Sequence, residues 1–214
     1  MRPLAGKHAA VVGPGRVHAA GLSQVLGDAG ATVAEVVEPD GRKDLDILVL
    51  CPLPLTARPG ASVDEALADV ARLARWTTDA ATAMAARGGG VIVHVTGLAG
   101  LGGWPGWDAA GAGFAAIHGL VAGSAVRFAP DRVRINALVA GVNAELAAAI
   151  AAEGGTSVEA VRARIPNGRF VDATDLGNAL LYLVHDSAGY VTGETLTVDG
   201  GWDAWGRLHA AAPA

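Results

Sequence analysis

Apolar positions along the chain form short runs rich in Val, Ile and Leu that alternate with longer stretches of helical spacing. That alternation predicts a parallel sheet wrapped by helices. The first run, residues 8–13, passes through Pro14-Gly15 into a helix reaching about Gly27, with Ala19, Leu22, Val25 and Leu26 at helical spacing. Gly30 opens a second strand over residues 32–37, ending at Glu38-Pro39-Asp40. Only GRKD separates it from a third strand over 45–51, which is too little chain for a crossover helix and another strand. A Pro-rich loop, CPLPLTARPG, follows and blocks helix. A long helix is predicted over 62–86, with Ser62 and Glu65 as a capping box and Val63, Leu67, Val70, Leu73 and Thr77 along one face.

Further strands are predicted at 91–96, 134–138 and 195–198. Between the first two lie a glycine-rich loop, GLAGLGGWPGW, and a helix over 109–128 built almost wholly of small residues. Small residues let backbones approach closely, so that helix is central or at an interface. Helices over 144–152, 157–163 and 174–185 complete the pattern, and Asp199-Gly200-Gly201 closes the last strand.

Composition narrows the class. A length of 214 residues with 51% apolar content supports one domain with a real core, residues 202–214 forming a short tail. Sixteen bases against 21 acids give a net charge of −5, with no basic block for nucleic acid or an anionic membrane surface. A lone Cys51 excludes an internal disulfide framework and fits a reducing compartment. The start, MRPLAGKHAAVVGPG, has no secretory pattern, and no run approaches 18 apolar residues free of Gly or charge. The expectation is a cytoplasmic protein with no metal site, no membrane span and no nucleic-acid partner. Glycine is high at 30 residues, yet without the period of a fibrous chain.

Several segments, in order, resemble the short-chain dehydrogenase/reductase family. GRFVDATDLGNALLYLVHDSAGYVTGETLTVDGG (168–201) is similar to its closing helix and strand, RVRINALVAG (132–141) to its sixth strand, GGGVIVHVTGLAG (88–100) to its fifth, and GRKDLDILV to the lead-in of its fourth. The resemblance implies an α/β, Rossmann-like, doubly wound parallel sheet with a nicotinamide cofactor over the carboxyl ends of its strands. The family's third strand and its neighbouring helix are missing between Glu38 and Gly41. Six strands in family order 2-1-4-5-6-7 are therefore expected, with one wall of the adenine pocket lost.

Members of that family reduce a carbonyl with a Tyr-x-x-x-Lys pair, an upstream Ser and usually an Asn. Tyr donates the proton, Lys lowers its pKa by placing positive charge nearby, and Ser holds the substrate oxygen. Aligned outward from the fifth strand, the Ser, Tyr and Lys positions are Gly97, Ala110 and Phe114. No Ser, Tyr, Lys or Asn occurs between Val63 and Gly123, so no small slip of alignment restores them. The family's T-G-x-x-x-G-x-G loop aligns with residues 12–19, where only Gly13 survives and Val17 and Ala19 replace glycines. Gly13, Gly15 and Arg16 are the remaining cofactor-binding candidates. The family's N-A-G becomes Cys51-Pro52-Leu53, and the Thr after its sixth strand becomes Glu145. Nicotinamide binding is therefore expected to be lost, NAD(P) remaining the cofactor if any binds.

Other residues cluster near the same cleft. His94 and Thr96 share strand parity, with Gly97 expected on the opposite face. Both read as hydrogen-bonded structural groups or as pocket lining. Asp108 reads first as the N-cap of the small-residue helix and second as a substitute general acid. His118 reads as a packing residue of that helix. Trp104 and Trp107 flank Pro105-Gly106, either lining an apolar pocket or filling the space of a cofactor. Trp202 and Trp205 suit a subunit interface.

Weighed together, these features favour a catalytically silent member acting as a structural or regulatory subunit. Its partner would be a second copy or an active relative, met through residues 62–86, 109–128 and 174–201. A non-redox enzyme or small-molecule binder (a cyclase, isomerase or dehydratase) using the vacant cleft is one alternative. An NAD(P)-dependent oxidoreductase with an unrecognised proton donor is the other.

Overall fold

Six strands follow the apolar runs: β1 (His8–Val12), β2 (Thr32–Val36), β3 (Ile47–Leu50), β4 (Gly90–Gly97), β5 (Val133–Ala140) and β6 (Thr195–Val198). In the computed structural model, which describes residues 2–13, 17–39, 41–51 and 60–206, all pair in parallel in the order β2-β1-β3-β4-β5-β6. This is the expected doubly wound sheet without the family's third strand. Gly15 and Arg16, together with residues 52–59, lie outside the described residues.

Helices cover both faces, which is why the central strands read as unbroken apolar runs. On one face α1 (Val17–Asp28) and α6 (Ala173–Val184) pack Leu22, Leu26, Leu176 and Leu180 onto Val11, Val49, Val93 and Leu138. On the other, α2 (Val63–Ala86) and α3 (Asp108–Phe128) pack onto Val12, Leu48, Leu50, Ile92 and Ile135. A third apolar cluster sits over the carboxyl ends, where α4 (Ala144–Glu153) and α5 (Val158–Ala163) enclose Leu98, Val139, Val142 and Trp202. The chain closes with α7 (Trp202–Gly206).

The connection from β2 to β3 shows how the fold tolerates the missing crossover. Arg87, which caps the C-terminus of α2, donates to the carbonyls of Lys43 (3.2 Å) and Leu45 (2.8 Å) and pairs with Asp46 at 3.2 Å. One guanidinium thus ties the short strap to the helix that follows it.

At the start of α2 the Ser62–Glu65 capping box forms as expected. The buried face of α2 differs from the expected one: Ala66, Leu73, Thr77, Ala81 and Met84 face the sheet, whereas Val63 and Leu67 are exposed. Alanines set the approach, because their small side chains bring the helix closest to the strands. Among the described residues, the stretch from Asp108 to Asp131 has the length and hydropathy of a membrane span. Nearly half of it is buried against the protein's own sheet and α2.

Candidate functional site

At the carboxyl edge of the sheet, β1 is flanked by β2 on one side and β3 on the other, so successive connections leave in opposite directions. That reversal opens a crevice, and ligands of doubly wound sheets bind there. Gly13 ends β1 with φ +115°, and a Cβ on it would stand 2.6 Å from the Cys51 carbonyl oxygen at the end of β3. Only glycine combines that φ with that approach. The helix α1 begins at Val17, four residues beyond Gly13, and a helix start carries N–H groups without intrahelical partners.

The next strand end carries the family's catalytic positions. Strand parity places Gly97 opposite Thr96, but the structure turns it toward α3: a Cβ there would lie 2.9 Å from the Phe114 ring. Gly97 is the last residue of β4, with extended backbone at φ −124° and ψ 166°, and the tight turn Leu98–Gly100 follows it. Gly100 is equally close, its Cβ position 2.5 Å from Phe114 Cβ. Ala110 is fully buried and Phe114 nearly so. Gly97 and Phe114 therefore meet as an apolar contact, Ala110 is buried in the same apolar cluster as Phe114, and none of the three carries a proton donor.

Asp108 is the first helical residue of α3, after Trp107, whose side chain makes no cap bond. It is exposed at the rim, and its carboxylate complements the positive helix end instead of capping it. The glycine-rich loop is held down by stacked indoles. Trp104 lies 6.1 Å edge-on to Trp107 and 5.6 Å from Trp202, and the Arg164 guanidinium sits 4.5 Å above Trp202. Trp202, expected at a subunit interface, is 6% exposed and packs into this internal stack; Trp205 is 38% exposed.

His94 and Thr96 are buried on the α2–α3 side of β4. His94 Nε2 lies 3.0 Å from Thr77 Oγ1 of α2, and Thr96 Oγ1 lies 3.0 Å from His118 Nε2 of α3. Burial, reinforced by His118, lowers the His94 pKa to about 4, and burial also lowers that of His118. The pairing of Thr77 with His94 spans 17 residues and has no sequence signal beyond the shared inward face. Among the described residues no cluster of His, Cys, Asp and Glu could hold a metal.

Residues 59–203 match the family model described as enoyl-(acyl carrier protein) reductase. An uncharacterized short-chain type dehydrogenase/reductase of Sinorhizobium fredii is 34% identical over 149 residues, 66% of this chain and 27% of that protein. A 3alpha-hydroxysteroid dehydrogenase of Mediterraneibacter gnavus is 36% identical over 121 residues, 56% of this chain and 48% of that one. The chain thus spans about half or less of the curated relatives it matches. A crystal structure from Beutenbergia cavernae, a proposed NAD(P)-dependent gluconate 5-dehydrogenase with NADP bound at low occupancy, superposes with a TM-score of 0.81. Identity to it is 26%, covering 95% of this chain and 99% of that one.

These matches correct the expectation of a catalytically silent subunit. The relatives and the structure just named are described as dehydrogenases or reductases, one with NADP bound at low occupancy, and none of them is described as a silent subunit. The expectation that no cofactor binds is weakened with it, since NAD(P) is what such neighbours hold. A doubly wound sheet lacking one edge strand, together with a family match over residues 59–203, places this chain in the short-chain dehydrogenase/reductase family.

Proposed function

We propose that this chain is an NAD(P)-dependent oxidoreductase whose proton donor is not the family's tyrosine. The reading rests on one observation, the Gly13–Cys51 approach at the reversal between β1 and β3. Glycine there lets the ends of β1 and β3 close to backbone contact at the reversal, beside which a dinucleotide's pyrophosphate would lie. At that end Gly13 and the N-terminus of α1 would hold the group. When bound, a nicotinamide supplies hydride exchange with an alcohol or carbonyl carbon.

The chain's own residues then position substrate and move the proton. Ala110 and Phe114 carry no transferable proton, and Phe114 fills the space beside Gly97. Asp108 stands two residues before Ala110 on the exposed first turn of α3 and is the proton donor in this proposal. Trp104 and the indoles stacked on it form the apolar wall that excludes water. Assembly through the exposed flank of α2 and α3, where Val63, Leu67 and Val126 stand in solvent, is part of the same proposal.

The test is NADPH-dependent reduction of a panel of ketones and aldehydes, followed at the nicotinamide absorbance, for wild type and Asp108→Asn. Turnover by wild type and a loss of at least about 100-fold in kcat for the variant support the proposal. Equal rates in both would remove Asp108 from its role.

A further inference from the structure

The two Thr–His pairs of the α2–α3 layer take no part in the proposed chemistry. The Thr77 hydroxyl has one proton and gives it to the Leu73 carbonyl, 2.7 Å away on the preceding turn. Toward His94 it can only accept, so Nε2 is the donor and the neutral imidazole is fixed as the Nε2–H tautomer. Nδ1 then holds a bare lone pair, fully buried, with no hydrogen-bond partner among the described residues.

The surroundings of His94 offer nothing to receive a second proton. Leu50 and Ala137 flank it in the sheet, and Ile117 and Val121 of α3 belong to the same apolar cluster. The titratable group that acts on it is His118, itself tied to Thr96. On α2 the nearest charged residues along the chain, Arg72, Arg75 and Asp79, are solvent-exposed. On α3, Asp108 and Arg127 stand at opposite ends.

We propose that His94 is a proton-operated latch holding the α2–α3 layer on β4. A proton from solvent added to the Nδ1 lone pair finds no acceptor, and the layer must lift from the strand for water to reach it. Lifting α3 carries Phe114 away from Gly97 and Gly100, so the carboxyl end of β4 opens. At neutral pH the latch is closed, since burial and His118 hold the His94 pKa near 4. This device stands apart from the oxidoreductase reading and survives its failure.

The experiment compares near-ultraviolet and far-ultraviolet circular dichroism of wild type and His94→Gln from pH 7.5 to 3.5. Glutamine still offers an N–H to Thr77 but takes no second proton. Wild type is expected to lose its aromatic signal in acid while keeping helix, and the variant to hold that signal to a pH lower by about one unit. Identical midpoints overturn the latch. Should the variant fail to fold, nitrogen-resolved imidazole spectra of wild type decide the matter. An Nε2–H His94 that stays neutral until the aromatic signal collapses supports it. An Nδ1–H tautomer, or titration near the ordinary value inside an intact fold, overturns it.

Discussion

The Phe114 ring lies against Gly97, so close that a Cβ on residue 97 would stand 2.9 Å from it. Residues at the family's Ser and Lys positions thus touch by shape alone. Gly97→Ser is expected to destabilise the protein by about 1–3 kcal/mol, because the added atoms overpack a filled core. In combination with Phe114→Ala the serine should cost less than it does alone. Urea unfolding of the two single variants and the double variant checks this, and strictly additive losses would show that the two side chains do not compete for the space.

Gly13→Val should be more damaging. Valine must adopt φ +115° with its Cβ against the Cys51 carbonyl, a backbone atom that cannot swing aside. A loss of about 3 kcal/mol is expected from strain and clash together. Thermal unfolding measures it, and a variant as stable as wild type would mean that β1 and β3 do not approach this closely.

Stability should fall on mild acidification because of His94. Its folded pKa of about 4 lies below the ordinary 6.5, so the unfolded chain binds the proton first. The contribution is complete above pH 6.5 and declines as pH falls toward 4, by about 3 kcal/mol in all. Urea midpoints at pH 7.5, 6, 5 and 4.5 should drop in that order. His94→Gln should flatten the trend.

At the start of α6 a dependence of the same sign appears at lower pH. Arg169 holds both oxygens of Asp175 at 2.6 and 2.7 Å, and this lowers the Asp175 pKa to about 2. Its contribution is present above about pH 4 and lost as pH falls through 2. The pair is largely exposed, so solvent screening keeps its worth small. Asp175 also accepts from the Asp172 backbone N–H in a capping box. Asp175→Asn should therefore lower the midpoint of thermal unfolding by only a few degrees at pH 7, the shift vanishing near pH 2.

Much of the fold was legible because local rules and tertiary demands agree. The last strand, Thr195–Val198, and the Ser62–Glu65 box follow from β propensity and cap chemistry that no neighbour overrides. The missing edge strand was legible from the four residues of GRKD alone. What failed was direction. Val63 and Leu67 satisfy helical spacing yet are exposed, and Gly97, at the end of β4, lies against Phe114 of α3 despite its expected parity. The Thr77–His94 bond depends on how α2 crosses β4, which periodicity does not encode. Function was misjudged for a different reason. Lost side chains at three family positions argue only against one proton relay, while the crevice depends on backbone and on Gly13, which remain.

The central claim is met most directly by calorimetric titration of the purified protein with NADPH and NADH at neutral pH. One saturable site per chain for at least one of them, with a dissociation constant of about 1–100 μM and abolished by Gly13→Val, is the predicted result. The absence of heat and of saturation for both cofactors at about 1 mM, with the fold intact, would contradict it.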